Sequence, residues 1–254
     1  MILLGYDVET TGLDVNNDLV IEIGLTLYST GLNRALDSVG QLVDRQGKPI
    51  SLEVTNVTGI TEAMCDNFGY PQHDAMKTVI EFAQAADVLV AYNGKRFDLP
   101  LTNAWAKREN VSDQWTNALF ASTGKPKIVI DPFTDLPGAP GQELVTMCAK
   151  YGEFVNPFPH EAQMDERSTL KLLVENFDLG KVIERANSPL VVVLAHQKRS
   201  ENEQAKKLRF RWNPGRGVWW KAVKEMDIQE LANQASFAIS IADKSLTLEE
   251  LQDS

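Results

Sequence analysis

"MILLGYDVETTGL" admits few structures. Residues 1 to 13 run apolar from the start and break at a polar Thr-Thr-Gly turn, the pattern of a buried strand that ends at the surface. Asp7 and Glu9 are two apart, so a strand points both to one face with Cα atoms ~6.6 Å apart. Carboxylates at the end of so apolar a strand risk desolvation, which an ionised group tolerates only if paired or bound to a metal. The acidic-x-acidic pattern alone specifies little, since 35 acidic residues in 254 give about five such triplets by chance. Placement is what gives it weight, and solvation of a strand end is the plain alternative.

Two further segments of strand composition, "LVIEIGLTLYS" and "RALDSVGQLVD", flank a "TGLN" turn and predict an antiparallel meander with the first. Helical patterns then alternate with short apolar runs: "YPQHDAMKTVIEFAQAA", "DVLVAYN", "KRFDLPLTNAWAKREN", "KIVID", "GQELVTMCAKYG" and a helix from about Asp165. Strands first and alternation afterwards point to an α/β fold, a mixed sheet covered by helices. "ERANSPL", residues 184 to 190, reads as a linker by its Asn-Ser-Pro punctuation. We therefore expect a domain at 1–186 and a small α+β domain at 187–254. The latter comprises a strand "LVVVLAH", a charged helix, a hairpin in "LRFRWNPGRGVWWKAV" and a final helix.

Charge divides along the same line. The net charge of −10 argues against gripping long duplex nucleic acid by bulk electrostatics. Residues 1–186 hold 15 Lys and Arg against 26 Asp and Glu, whereas 198–224 hold nine cations and only Glu201 and Glu203. A basic patch beside an acidic domain suggests divided labour. "MILLGYDVET" has neither a basic leader nor a membrane-length apolar run, so a cytoplasmic protein without a membrane partner is expected. Cys65 and Cys148 match no zinc spacing and read as reduced thiols.

Two more segments carry chemistry. Asp98 in "YNGKRFDLP" falls in the first turn of a helix that follows a buried strand, where a carboxylate also suits the helix dipole. In "PFPHEAQMDERSTLKLL", residues 157–173, His160 precedes Asp165 by five positions. In one helix they would stand about 140° apart and could not share a face. Pro157 and Pro159 disfavour helix before them, so the segment reads as a histidine on a loop beside an aspartate on a helix. His-x-x-x-x-Asp is expected roughly 0.2 times by chance here, and His73 and His196 lack the aspartate. A solvent-facing histidine at the start of a helix is the alternative.

"YDVETTGL", "AYNGKRFDL" and "HEAQMD", in that order and spacing, resemble the three motifs of the DEDDh family of 3'-to-5' exonucleases, which includes proofreading subunits and RNase T. "LVIEIGLTLY", "VTNVTGIT", "VIDPF" and "STLKLL" also fall where that family has matching segments, so the resemblance covers about residues 1–180. It implies an RNase H-like mixed five-stranded sheet flanked by helices. It also implies phosphodiester hydrolysis with two divalent cations, Mg2+ with Mn2+ able to substitute, for which hard oxygen ligands are suited. By resemblance Asp7 bridges the ions, Glu9 and Asp165 complete one site, Asp98 supports the second, and His160 is the general base. Thr10, Thr11 and Leu13 would hold the 3' end, with Leu13 either a wedge against the terminal base or a core residue. Asn93, Lys95 and Arg96 would approach phosphate, and Phe97 is either core or a stacking platform.

More weakly, "AKKLRFRWNPGRGVWWKAV" resembles a HARP-like accessory module of nucleic-acid enzymes. Its aromatics interleaved with cations, Arg211, Trp212 and Trp219 above all, suit single-stranded binding, although two of the tryptophans would also serve as the core of so small a domain. The expected activity is 3'-to-5' removal of nucleotides from single-stranded DNA ends, with a replication or repair protein as a possible partner. An RNA or short-oligonucleotide exonuclease is the first alternative. A non-catalytic polymerase-docking module is the second.

Overall fold

The structure, a computed structural model, describes residues 1–136, 141–243 and 251. Its chain forms two compact units, Met1–Ala186 and Asn187–Ser254. In the first, β1 (Ile2–Thr10), β2 (Val20–Ser29) and β3 (Arg34–Leu42) pair as an antiparallel meander. Two seven-residue helices follow, α1 (Leu52–Thr58) and α2 (Glu62–Phe68), each started by a hydroxyl cap from Ser51 or Thr61. They are too short to show helical periodicity in sequence. Then come α3 (Gln72–Ala85), β4 (Val88–Val90), α4 (Asp98–Arg108), α5 (Ser112–Ala118), β5 (Ile128–Ile130) and the single turn α6 (Pro132–Asp135).

The helix expected over 141–152 is shorter and irregular: α7 (Leu144–Met147) passes into a π-helical turn at Cys148–Gly152. α8 (Ala162–Asn176) and α9 (Leu179–Asn187) complete the unit. α9 runs into the stretch read as a linker, leaving only Ser188 and Pro189 between helix and the next strand. Proline bars helical backbone in the residue before it, so Asn-Ser-Pro marks a helix end and not a seven-residue connection.

Strand order is β3-β2-β1-β4-β5, with β4 and β5 parallel to β1. Period-two alternation along β1 divides the core. Leu4, Tyr6 and Val8 pack with Met76, Val79, Trp105 and Trp115 of α3 to α5, while Leu3 packs on the other face with Val90, Ile130, Leu170 and Leu173. That second face lies under α8, and glycine lets the helix sit close to it. A Cβ at Gly24 of β2 would overlap the backbone carbonyl of Ala162, and one at Gly5 the Glu166 carboxyl.

The second unit comprises β6 (Leu190–His196), α10 (Asn202–Lys207), β7 (Arg211–Asn213), β8 (Val218–Lys224), α11 (Ile228–Gln234) and β9 (Ala238–Ile241). Its antiparallel sheet has the order β7-β8-β6-β9. The β7–β8 turn closes with Gly217 N–H donating to Asn213 O (2.9 Å) and Arg216 N–H to Asn213 Oδ1 (2.9 Å). Val193, Phe210, Trp219, Val223, Leu231 and Phe237 form its core. Cys65 and Cys148 are buried and free. Among the described residues no helix is long and apolar enough to cross a membrane.

Candidate active site

β1 outruns its parallel neighbour. It pairs with β4 only from Leu3 to Gly5, so its last residues have an open edge at the carboxyl end of the sheet, where ligands of α/β folds bind. Asp98, the first residue of α4, fills that edge: Oδ1 accepts from Val8 N–H at 3.3 Å, between Asp7 and Glu9. α4 is tied to the strand by a buried chain in which the hydroxyls of Tyr6 and Thr102 are hydrogen-bonded and Thr102 donates to Asp98 O at 2.6 Å.

Asp7 and Glu9 lie on the face of β1 that α8 covers. Asp165 is in the first turn of α8, and its Oδ2 accepts from His160 N–H at 3.1 Å while Oδ1 accepts from the Asn156 amide. His160 is exposed, precedes the helix and holds a left-handed backbone (φ 65°), which is uncommon for a residue with a Cβ. One ligand atom each of Glu9, His160 and Asp165 lies within 4.8 Å of the other two. α8 itself is pinned to the sheet where Ala162 N–H donates to Glu22 Oε2 at 3.0 Å.

Crowding of acids defines the electrostatics. Asp7 is held well above the ordinary carboxylate range, first by burial and then by Asp98, Glu9, Asp165 and Glu166. Glu9 is pushed up to about 9 by burial, Asp165, Glu22 and Asp98. Burial takes Asp98 to about 7 against the pull of its hydrogen bonds, with Asp131 adding repulsion. Asp165 is also raised by burial, although His160 and Asn156 oppose this. Among the described residues no Lys or Arg is one of the main groups that shift these four, so a bound cation would relieve their repulsion. The carboxylate oxygens form a hard donor set that fits Mg2+ or Mn2+, and the His160 imidazole stands beside them.

The other residues singled out in sequence divide. Thr10 and Thr11 are buried with their hydroxyls engaged, Thr10 donating to Gly12 O (2.5 Å) and Thr11 to Asp18 Oδ1 (2.8 Å). They shape the turn, and the hydroxyls do not face out. Leu13 is 84% exposed, which removes the core reading. Its loop is held by Arg108, donating to Asn16 O and Asp18 O (both 3.0 Å), and by Lys48 paired with Asp18 at 2.8 Å. Phe97 is partly buried against the core. Asn93 takes a left-handed conformation (φ 57°), and Lys95 is paired with buried Asp135 at 2.8 Å, whereas Arg96 is exposed. In the second unit Trp212 and Trp219 share one sheet face, but Arg211 projects to the opposite face and lies over Trp220 at 5.8 Å.

Sequence reasoning missed three supporting carboxylates. Asp131 is buried and accepts from the backbone N–H of Asn93 (2.8 Å) and Lys95 (3.2 Å), fixing the turn that carries Asp98. Its place after an apolar "KIVI" run was the available signal. Glu166, raised to about 8 by burial, accepts from Thr26 Oγ1 at 2.5 Å beneath α8. Glu22, also raised by burial, is the anchor of Ala162.

The sequence profile of the RNase T exonuclease family matches residues 4–173. A PolC-type DNA polymerase III of Caldanaerobacter subterraneus is 36% identical over 103 residues, 41% of this chain and 7% of its own length. That of Mycoplasma pneumoniae is 28% identical over 169 residues, 66% of this chain and 11% of its own length. The chain thus spans about a tenth of the length of these relatives. E. coli exonuclease I in complex with a dA16 oligonucleotide superposes with a TM-score of 0.61 at 13% identity, over 87% of this chain and 51% of that one, a likeness of fold.

Proposed function

Since the chain belongs to the RNase T family of exonucleases, of the DEDDh 3'-to-5' type, we propose that it hydrolyses single-stranded DNA from the 3' end using Asp7, Glu9, Asp98, His160 and Asp165. The observation that carries this reading is the convergence of all five at the open end of β1, from three separate stretches of sequence. Four carboxyls raised by burial and mutual repulsion are costly to keep together without a cation. Glu9 and Asp165 would hold one divalent cation and Asp98 would support a second, with Asp7 between them. Bound there, the pair would lower the pKa of water and neutralise charge on the scissile phosphate.

The remaining work falls to the chain's own groups. His160, on an exposed loop with its backbone N–H on Asp165 and its ring beside Glu9 and Asp165, takes the proton of the attacking water. Leu13, on a loop clamped by Arg108 and Lys48, lies against the terminal base. Asn93 and the backbone beyond Thr11 hold the terminal nucleotide. DNA as substrate rests on the relatives, a DNA polymerase III and an exonuclease bound to dA16, and a replication setting on the former.

The test is degradation of matched DNA and RNA oligonucleotides, labelled at the 5' end, with Mg2+ or Mn2+. A ladder that shortens from the 3' end faster on single-stranded DNA, and is absent with Asp7→Ala, is expected. Faster loss of RNA would reassign the substrate. Binding without cleavage of either would favour a docking module.

A further inference from the structure

The second unit has an aromatic its core does not use. Trp219 is 8% exposed and packed with Phe210 and Val223, but Trp212, opposite it in the β7–β8 register, is 49% exposed. The two rings lie 5.7 Å apart at 50°. They wall a groove of about 790 Å³, whose other polar lining includes His196, Gln197, Asn202 and Lys206. That volume takes a nucleobase with its sugar. Lys206 pairs with Glu203 at 2.8 Å, and both side chains are more than half exposed, a weak pair that a phosphate can replace. Lys206 is the cation of the groove lining, in a stretch, 198–224, that carries nine Lys and Arg against two acids within an otherwise acidic chain.

We propose that this groove is a second, non-catalytic site for single-stranded nucleic acid. A base stacks on the open face of Trp212 with Trp219 behind it, and Lys206 meets a phosphate, beside the hydrogen-bonded Gln197 and Asn202 amides. Stacking on an exposed indole is tolerant of sequence, and one cation adds salt-dependent affinity, so the site retains strand without selecting it. The proposal takes only its ligand class from the exonuclease reading.

The test is equilibrium binding of fluorescein-labelled oligothymidylate and oligouridylate to the full chain in EDTA, where no cleavage is needed and the outcome is separate from that of the degradation assay. Trp212→Ala is expected to weaken binding about tenfold and Trp212→Phe to restore most of it. Lys206→Gln should lower the salt slope by about one. Thermal melts establish that each variant is folded, and the ratio of the two ligands decides between DNA and RNA. Folded Trp212→Ala and Lys206→Gln chains that bind as wild type does would overturn the proposal and leave Trp212 as a protein-docking surface.

Discussion

At the residue scale the account turns on where protons and charges sit. His160 holds Asp165 through its backbone N–H, and as a base its ring is no cation ligand, so His160→Ala should bind Mn2+ about as wild type does yet lose about 10²–10⁴ of turnover. Single-turnover cleavage beside Mn2+ titration checks this, and near wild-type turnover refutes the base assignment. The acids give a stability prediction of opposite sense to the usual one. Glu9 is raised to about 9 and Asp98 to about 7, so the unfolded chain ionises Glu9 between about pH 4.5 and 9, and Asp98 between about pH 4 and 7, while the folded, metal-free chain keeps each protonated over its own window. The folded state then binds more protons, and its stability falls as pH rises through those windows. Melting of the metal-free chain should drop from pH 5 to pH 9, Mn2+ should oppose the drop, and Asp7→Asn should raise the metal-free melting temperature at pH 8. A melting temperature that climbs with pH would sink this account of the site.

Elements decide whether the residues meet. α8 brings Asp165 to β1 only because Gly24 and Gly5 leave room for it. Gly24→Ala should cost about 1–3 kcal/mol through the clash with Ala162 and cut turnover more than tenfold, read as a lower melting temperature together with a lower kcat. Unchanged kcat would mean that α8 shifts without moving Asp165. The meander, the alternation after it and the loop placement of His160 were all legible, because apolar runs, prolines and spacing are local signals. α1, α2 and α5 were not, since seven residues complete barely two turns. Asp131 and Glu166 look like any surface acid until the fold shows them buried. Arg211 and Trp212, neighbours in sequence, part company once a strand sends them to opposite faces.

At the scale of the whole molecule, the proposed function sets an acidic chain to work on a polyanion. Cations bound at the carboxylate cluster would make the local field positive, so on the proposed function metal binding and substrate capture would be linked electrostatically. End capture by a small site suits such a body better than a long basic channel would. The direct measurement is Mn2+ titration of the full chain, with free Mn2+ followed by electron paramagnetic resonance for wild type and Asp7→Asn side by side. Two Mn2+ per wild-type chain, with both weakened in Asp7→Asn, is the result this arrangement predicts. A wild-type chain that binds no Mn2+ at millimolar concentration would contradict it.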